Sequence, residues 1–238
     1  MNAGILIVLE GGDSVGKTTQ SQYLDQWLDG HGVDHLMTRE PGGTPLGARI
    51  RALLLDPASG GIDDRAEALL YAADKAQHVT EVLRPALERG QVVVCDRYID
   101  STLAYQGAGR ILEAEEIRAL ARWSTDGLRP DLTVLLDADP AETTAAIEVK
   151  DRMESESLEF HRRVRDEFLA LAARDPGRYL VLPARDSRES IAAAVRERLA
   201  PMLGIDTGLA TDTGLVTGTG PGIDAGSDLS GPDGTMRP

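Results

Sequence analysis

Residues 5–19 read ILIVLEGGDSVGKTT, and this stretch decides the fold of the chain. Its first half is a continuous apolar run rich in β-branched residues, which is typical of a strand buried on both faces of a parallel sheet. The run ends in a glycine turn, and residues 18–28 follow with the apolar spacing of a helix. The sequence therefore predicts a strand, a glycine-rich loop and a helix as the first unit of the fold.

The loop matches the pattern G-x-x-x-x-G-K-[ST] over residues 11–18. In such loops backbone N–H groups surround nucleotide phosphates, the lysine places its charge on the β- and γ-phosphates, and the hydroxyl binds Mg²⁺. We predict that Lys17 is catalytic, that Thr18 is a metal ligand, and that the whole loop binds ATP: Gly11, Gly12, Asp13, Ser14, Val15, Gly16, Lys17 and Thr18. The loop leaves the reaction open, since ATPases, GTPases and small-molecule kinases share it. The sequence contains no Asn-Lys-x-Asp element, which disfavours a guanine-specific GTPase.

Strand and helix patterns alternate along the rest of the chain. Further strands are predicted at 35–38, 91–95, 132–136 and 179–182, and further helices at 46–55, 64–88, 113–125, 141–149, 156–173 and 188–203. Alternation of this kind predicts an α/β fold, with a parallel five-stranded sheet covered by helices on both faces.

The composition limits the partners and the location. The 238 residues carry 39 acidic and 25 basic side chains, a formal charge of -14, so the surface repels nucleic acid and anionic lipid alike. The first residues have no basic segment and no long apolar run, and we expect a cytoplasmic protein. The single cysteine, Cys95, lies in an apolar run, and we expect an inert core residue.

The composition changes near residue 204. From there the sequence is rich in Gly, Thr, Asp and Pro and has almost no aromatic side chains, so it cannot bury enough apolar surface to fold. We predict a folded domain at residues 1–203 and a disordered tail at residues 204–238.

Charged side chains follow two of the predicted strands. Arg39 follows the strand at 35–38, and Asp96 and Arg97 follow the strand at 91–95. Because ligands bind outside the carboxyl ends of parallel strands, we expect Arg39 and Arg97 beside the phosphate loop, where a second phosphate binds. Asp96 closes an apolar run in the manner of a Walker B carboxylate, and we predict that it is a magnesium ligand.

Four motifs in this order resemble bacterial thymidylate kinases: EGGDSVGKTT at 10–19, TREPGGT at 38–44, DRYIDST at 96–102 and AYQG at 104–107. The resemblance covers about residues 4–203. It implies a three-layer P-loop fold like that of nucleoside monophosphate kinases, phosphoryl transfer from MgATP to dTMP, and a homodimer.

The resemblance also implies which residues bind dTMP. Arg39, Arg51 and Arg97 match the arginines that hold its phosphate, and Asp13 matches the acidic residue that faces the sugar 3′-hydroxyl. Four further residues match positions that contact the base in this family. Tyr71 is at the position that stacks on thymine, Lys75 replaces a typical arginine donor, and Thr102 and Gln106 are at positions that read the base edge.

The segment that closes over ATP in this family departs from the usual pattern. Because Ser14 stands where one class of the family has a loop arginine, the resemblance implies that this chain relies on arginines of that segment instead. Residues 140–151 contain no arginine and look short, so we predict that Arg152 is catalytic, together with Lys17 and Arg97. The other candidates are Lys150, Arg162, Arg163 and Arg165.

Two alternatives stay open at this point. Lys75 leaves room for a kinase of another nucleoside monophosphate, because a lysine offers fewer fixed donors than an arginine. The arginine-poor segment leaves room for a relative that binds nucleotides with weakened catalysis.

Overall fold

The computed structural model describes residues 4–143 and 151–206. Its strands are β1 Ile5–Gly11, β2 His35–Arg39, β3 Val92–Asp96, β4 Leu132–Asp137 and β5 Tyr179–Pro183. Its helices are α1 Lys17–Gly30, α2 Pro45–Leu55, α3 Asp64–His78, α4 Arg84–Glu88, α5 Ile99–Ser101, α6 Ala114–Ser124, α7 Pro140–Thr143, α8 Leu158–Arg174 and α9 Arg188–Leu203. A 3₁₀ turn at Pro57–Ser59 and π-helical segments at Val79–Leu83 and Thr102–Gly109 complete these elements.

The strands form one parallel sheet in the order β2-β3-β1-β4-β5. The predicted five-stranded parallel sheet is therefore confirmed. β1 is central, so the loop that follows it leaves the middle of the carboxyl edge. Asp96 pairs with Leu9 of β1 on one side and with Arg39 of β2 on the other, at the same level of the sheet.

Helices cover both faces of the sheet, because side chains of each strand alternate between the faces. Ile7 and Leu9 of β1 face one layer, where they pack with residues of α1 and α9: Leu24, Leu28, Ile191, Val195 and Leu199. Leu6 and Val8 face the opposite layer, where they pack with Val79, Leu83, Ala86 and Tyr98. The three-layer arrangement follows from this alternation.

The helix predicted at 64–88 differs from the structure. It runs as α3, a π-helical segment and α4, and the N–H of Arg84 donates to the carbonyl of Val79, five residues earlier. Pro85 explains the wide turn, since proline has no N–H and its ring crowds the carbonyl four residues before it. The segment from α5 to the π-helix at Thr102–Gly109 was not predicted as helical.

Two predictions fall wholly or largely outside the described residues. Only α7, at Pro140–Thr143, covers the start of the helix predicted at 141–149. α9 ends at Leu203 and Gly204 caps it with a φ of 65°, but residues 207–238 lie outside the described part, so disorder of the tail stays a prediction.

Within the described residues no helix has the length and apolar character needed to cross a membrane. Cys95 is buried in β3, and burial raises the pKa of its thiol, as expected of an inert core residue.

Candidate active site

The glycines of the loop between β1 and α1 have backbone conformations that fit the predicted roles. Gly11 has a φ of 135°, and a Cβ there would lie 2.4 Å from the carbonyl oxygen of Leu136. Gly16, directly before α1, has a φ of 94°. Residues other than glycine rarely adopt such φ angles, so both glycines are needed for the turn that places the loop at the helix N-terminus.

A cleft of about 660 Å³ opens over this loop. The loop residues 13–18 line one part of it, the donor end, and residues of α3 and of the π-helix at Thr102–Gly109 line a second part, the acceptor end, which meets the loop where Tyr105 bonds to Asp13. The predicted base-contacting residues line the acceptor end: Tyr71, Lys75, Thr102 and Gln106. One cleft therefore contains both the phosphate loop and the predicted acceptor residues.

Lys17 is buried beneath the loop. Its ammonium donates to the carbonyls of Gly11 at 3.2 Å and Gly12 at 2.5 Å. Burial, and then the neighbouring charge of Arg97, lower the pKa of Lys17 to about 8. The contacts place a cation directly under the predicted phosphate site.

Arg97 lines the cleft beside the loop. It has a φ of 67° directly after β3, and its guanidinium donates to the Gly11 carbonyl at 2.9 Å, to the Asp13 carboxylate at 2.6 Å and to the Ser101 hydroxyl at 3.2 Å. Tyr105 also donates to Asp13, at 3.1 Å. Burial acts to raise the pKa of Asp13, but the charges of Arg97 and Lys17 outweigh it and the pKa is lowered. The structure thus brings Lys17, Asp13 and Arg97 together, as the sequence predicts.

Glu10 is a buried carboxylate that the sequence reasoning missed. Its Oε1 accepts from the N–H groups of Tyr98 and Ser101, at 2.9 and 3.1 Å, and its Oε2 accepts from the Ser101 hydroxyl at 2.7 Å. These bonds fix the chain directly after Arg97 to the end of β1. Burial, and then the charge of Asp100, raise the pKa of Glu10 to about 7.

A pH dependence of stability follows from Glu10. Its pKa is raised from an ordinary 4.5 to about 7, so the folded state binds more protons than the unfolded state between these values and stability falls as pH rises through them. The isosteric Glu10→Gln substitution removes this titration. We expect the stability of the variant relative to wild type to increase by roughly 2–3 kcal/mol between pH 4.5 and pH 8, as measured by urea unfolding. Equal pH dependence in both proteins would contradict this assignment.

The predicted metal ligands lie on the same cleft wall. Asp96 Oδ1 is buried and has no hydrogen-bond partner within the described residues, and both Asp96 and Thr18 line the cleft. Magnesium in nucleotide sites is typically held by one or two protein oxygens together with phosphates and water. An unpartnered carboxylate oxygen and a loop hydroxyl that line one cleft fit such an ion. Over residues 4–143 and 151–206, no three His, Cys, Asp or Glu side chains form a metal site by themselves.

The acceptor end of the cleft contains several of the predicted dTMP residues. Arg51 donates to the carbonyl of Pro41 at 3.0 Å and lines the cleft. Tyr71 is half-buried on the cleft wall and is not packed into the core. Thr102 has a buried hydroxyl without a partner among the described residues, and Gln106 donates to Glu67 at 3.0 Å. Their contacts with dTMP stay predictions.

Lys75 lies in a buried network at the same end. Its ammonium donates to Glu40 at 2.5 Å and to the carbonyl of Tyr98 at 3.0 Å. The other oxygen of Glu40 is 2.8 Å from Nδ1 of His78. Lys75 is 2% exposed and lines the cleft, but two of its three N–H bonds are already used within the protein. Glu40 was not predicted as a site residue.

Arg39 and Arg152 adjoin the cleft lining without belonging to it: Arg39 and Arg51 both flank Gly42, and Asp151 and Met153, on either side of Arg152, line the cleft. Arg39 is exposed at the end of β2, the edge strand of the sheet, and so lies farther from the loop than Arg97 does. Arg152 donates to the carbonyl of Leu54 at 2.7 Å and pairs with Glu67. Neither is among the residues that line the cleft. The described arrangement does not bring Arg152 to the phosphate loop, so its catalytic role stays a prediction.

The other candidate cations, on α8 and before Asp151, differ in where they lie. Arg163 donates to the carbonyls of Ala108 and Gly109. Arg165 forms a bidentate ion pair with Asp137, at 2.7 and 2.8 Å. Lys150 lies outside the described residues. Arg185 and Arg188, which follow the edge strand β5, line the cleft near the loop and were not predicted. The rule that directed attention to Arg97, a cation after a parallel strand, also applies to Arg185.

The fold and the loop together define an α/β protein of the P-loop class, with one cleft over the loop. A sequence model described as thymidylate kinase matches residues 9–195. The thymidylate kinase of Cutibacterium acnes is 61% identical over 84% of this chain and 98% of its own length, and that of Clavibacter michiganensis is 54% identical over 84% and 96%. A crystal structure of thymidylate kinase from Ehrlichia chaffeensis aligns with a TM-score of 0.70 at 33% identity, covering 83% of this chain and 99% of that one. The chain belongs to the thymidylate kinase family.

Proposed function

We propose that this chain transfers the γ-phosphoryl group of ATP to dTMP, which gives ADP and dTDP. The observation that carries the proposal is the position of Arg97, whose guanidinium touches the phosphate loop at Gly11 and also Asp13 and Ser101. A cation at this junction is in reach of phosphates from both ends of the cleft. Family membership supplies the identity of the acceptor.

We propose Mg²⁺ as the metal that accompanies ATP. Thr18 and Asp96 would hold it, and the unpartnered Oδ1 of Asp96 supports this choice. When bound, the ion neutralises charge on the β- and γ-phosphates.

The side chains of the cleft catalyse the reaction by position and charge. The phosphate of dTMP, held by Arg97 and Arg51, presents an oxygen to the γ-phosphorus; as that bond forms, the bond to the β-phosphate oxygen breaks and ADP leaves. Lys17 stabilises the charge that moves onto the β-phosphate oxygen. Asp13 is ionised and so accepts a hydrogen bond from the sugar 3′-hydroxyl. No general base is needed, because the attacking oxygen is already ionised near neutral pH.

The test is a substrate panel with the purified full chain, ATP and Mg²⁺, in which ADP release is followed. We expect dTMP to be turned over faster than dUMP, dCMP or dAMP. Equal rates for all four would contradict the acceptor. Stabilisation by dTMP in a thermal shift without any turnover would instead favour a nucleotide-binding relative with weakened catalysis.

We further propose that the chain forms a homodimer through α3. The exposed residues Ala66, Leu69 and Ala73 follow one another at intervals of three and four along α3, opposite the face that carries Tyr71 and Lys75. Such spacing forms a continuous apolar stripe on a helix. Leu69 is 59% exposed, and Leu46 and Leu53 of the neighbouring α2 are also exposed. A second copy that presents the same stripe would cover it in a two-fold contact.

Leu69→Glu tests the dimer. We expect the variant to sediment as a monomer at micromolar concentration, because it places a charge in the centre of the apolar stripe. Val181→Glu is the matched control, since Val181 is also an exposed apolar side chain, at 43%, but lies on the edge strand β5 and not on the α3 stripe. A Leu69→Glu protein with the same sedimentation coefficient as wild type and control would exclude this surface as the contact.

We also propose a cytoplasmic location and no partner among nucleic acids or membranes. The formal charge of -14 supports the absence of such partners, because phosphate backbones and anionic lipids repel this surface.

A further inference from the structure

The side-chain amide of Gln106 has two different ends, and only one of them is used within the protein. Its Nε2 donates to Oε1 of Glu67 at 3.0 Å, and the whole residue is 1% exposed. No donor from residues 4–143 or 151–206 bonds to its Oε1. Because Gln106 lines the cleft and its Nε2 is turned to Glu67, Oε1 is the amide atom left for a ligand.

Glu67 permits only this orientation of the amide. An ionised carboxylate accepts hydrogen bonds and donates none, so it bonds to an NH₂ group but repels a carbonyl oxygen. Burial acts to raise the pKa of Glu67, but the hydrogen bonds from Arg110, Gln106 and Arg152 outweigh it and the pKa is lowered. The carboxylate therefore stays ionised near neutral pH, and the reversed amide would place two oxygens against each other.

Two guanidinium groups hold the Glu67 carboxylate in place. Arg110 donates to it through Nε at 3.1 Å and Nη2 at 2.9 Å, and Arg152 donates through Nη2. Both arginines have further anchors, since Arg110 also pairs with Glu156 at 2.5 Å and Arg152 also donates to the Leu54 carbonyl at 2.7 Å. Glu67 is fully buried. A carboxylate held in this way cannot rotate to accommodate a turned amide.

We propose that Glu67 is a positioning residue that sets base selectivity by holding Oε1 of Gln106 towards the acceptor base. The inference rests on the proposed function, in which Gln106 faces the base edge. Thymine has a hydrogen on N3 and donates it to Oε1, whereas cytosine has a bare lone pair on N3 that Oε1 repels. The hydroxyl of Thr102 both donates and accepts, so it does not make this distinction. Glu67 thus acts on selectivity without touching the substrate.

Glu67→Gln tests the inference in the full chain. A glutamine at this position both donates and accepts, so the Gln106 amide can turn its NH₂ group to the cleft. We expect the ratio of kcat/KM for dTMP over dCMP to fall about tenfold, mostly through KM, which corresponds to the loss of one oriented hydrogen bond. The ratio for dTMP over dUMP should stay within about twofold, because uracil presents the same N3–H and lacks only the 5-methyl group.

Glu156→Gln is the matched control. It removes a partner of Arg110 but leaves the bond between Gln106 and Glu67, so both ratios should stay at their wild-type values. If Glu67→Gln yields too little folded protein, Glu67→Asp replaces it, since aspartate keeps a charge for the arginines and withdraws the carboxylate from Gln106 by one methylene; the same fall is expected.

Three results would overturn the inference. In the first, a folded Glu67 variant keeps the wild-type ratio of dTMP over dCMP; the proposed function then stands and only the role of Glu67 is wrong. In the second, the ratio of dTMP over dUMP falls equally, which indicates general loosening of the pocket. In the third, wild-type protein does not phosphorylate dTMP, and the proposed function fails together with the inference.

Discussion

Arg97→Lys is expected to lower kcat/KM for dTMP by about a thousandfold, the largest effect that we anticipate from a substitution that keeps the charge. The arginine fork contacts Gly11, Asp13 and Ser101 at the same time, at 2.9, 2.6 and 3.2 Å. A lysine has a single ammonium and cannot span these positions while it also binds phosphate. A lysine also reaches less far than an arginine, which weakens the ion pair that lowers the pKa of Asp13.

The experiment compares steady-state kinetics of Arg97→Lys with those of Arg84→Lys. Arg84 pairs with Asp126 on the surface and does not line the cleft, so its substitution should leave kcat/KM within about twofold. Melting temperatures of the two variants control for loss of folding. A loss smaller than about tenfold in Arg97→Lys would show that the cleft needs only a positive charge at this position, and the proposed junction between the two phosphates would then be wrong.

The position of Arg97 could be predicted from the sequence for a physical reason. Apolar runs predicted β1 and β3, and the carboxyl ends of parallel strands meet at one edge, so a cation directly after β3 had to lie near the loop after β1. Arg39 stays a prediction under the same rule. It also ends a parallel strand, but β2 is the edge strand and the order of strands was not predicted.

The roles of the buried carboxylates of Glu10 and Glu67 could not be predicted in this way. Glu10 is bonded to Tyr98, 88 positions away, and Glu67 to Gln106 and Arg110, 39 and 43 positions away. A glutamate at the end of a strand or within a helix pattern has no local feature that distinguishes a buried acceptor from a solvated side chain. Only the tertiary arrangement supplies the partners that make its burial tolerable.

Lys17→Met is expected to lower kcat by about a thousandfold with little change in the KM for dTMP. Methionine keeps the length and apolar stem of the buried side chain but removes the charge that stabilises the leaving phosphate oxygen. Lys17 is 7% exposed, so no water replaces the ammonium easily. The dTMP end of the cleft, at Tyr71 and Gln106, does not contact Lys17, and its affinity for substrate should therefore survive.

The separation of kcat from KM is what makes this substitution informative. Backbone N–H groups of the loop and the N-terminus of α1 remain in Lys17→Met, so ATP should still bind, with an affinity reduced about tenfold to a hundredfold in calorimetry. If kcat stays within about tenfold of wild type, the charge of Lys17 is not used in the transition state. If instead the KM for dTMP rises as far as kcat falls, Lys17 supports the acceptor site, and the division of the cleft into a donor end and an acceptor end has to be abandoned.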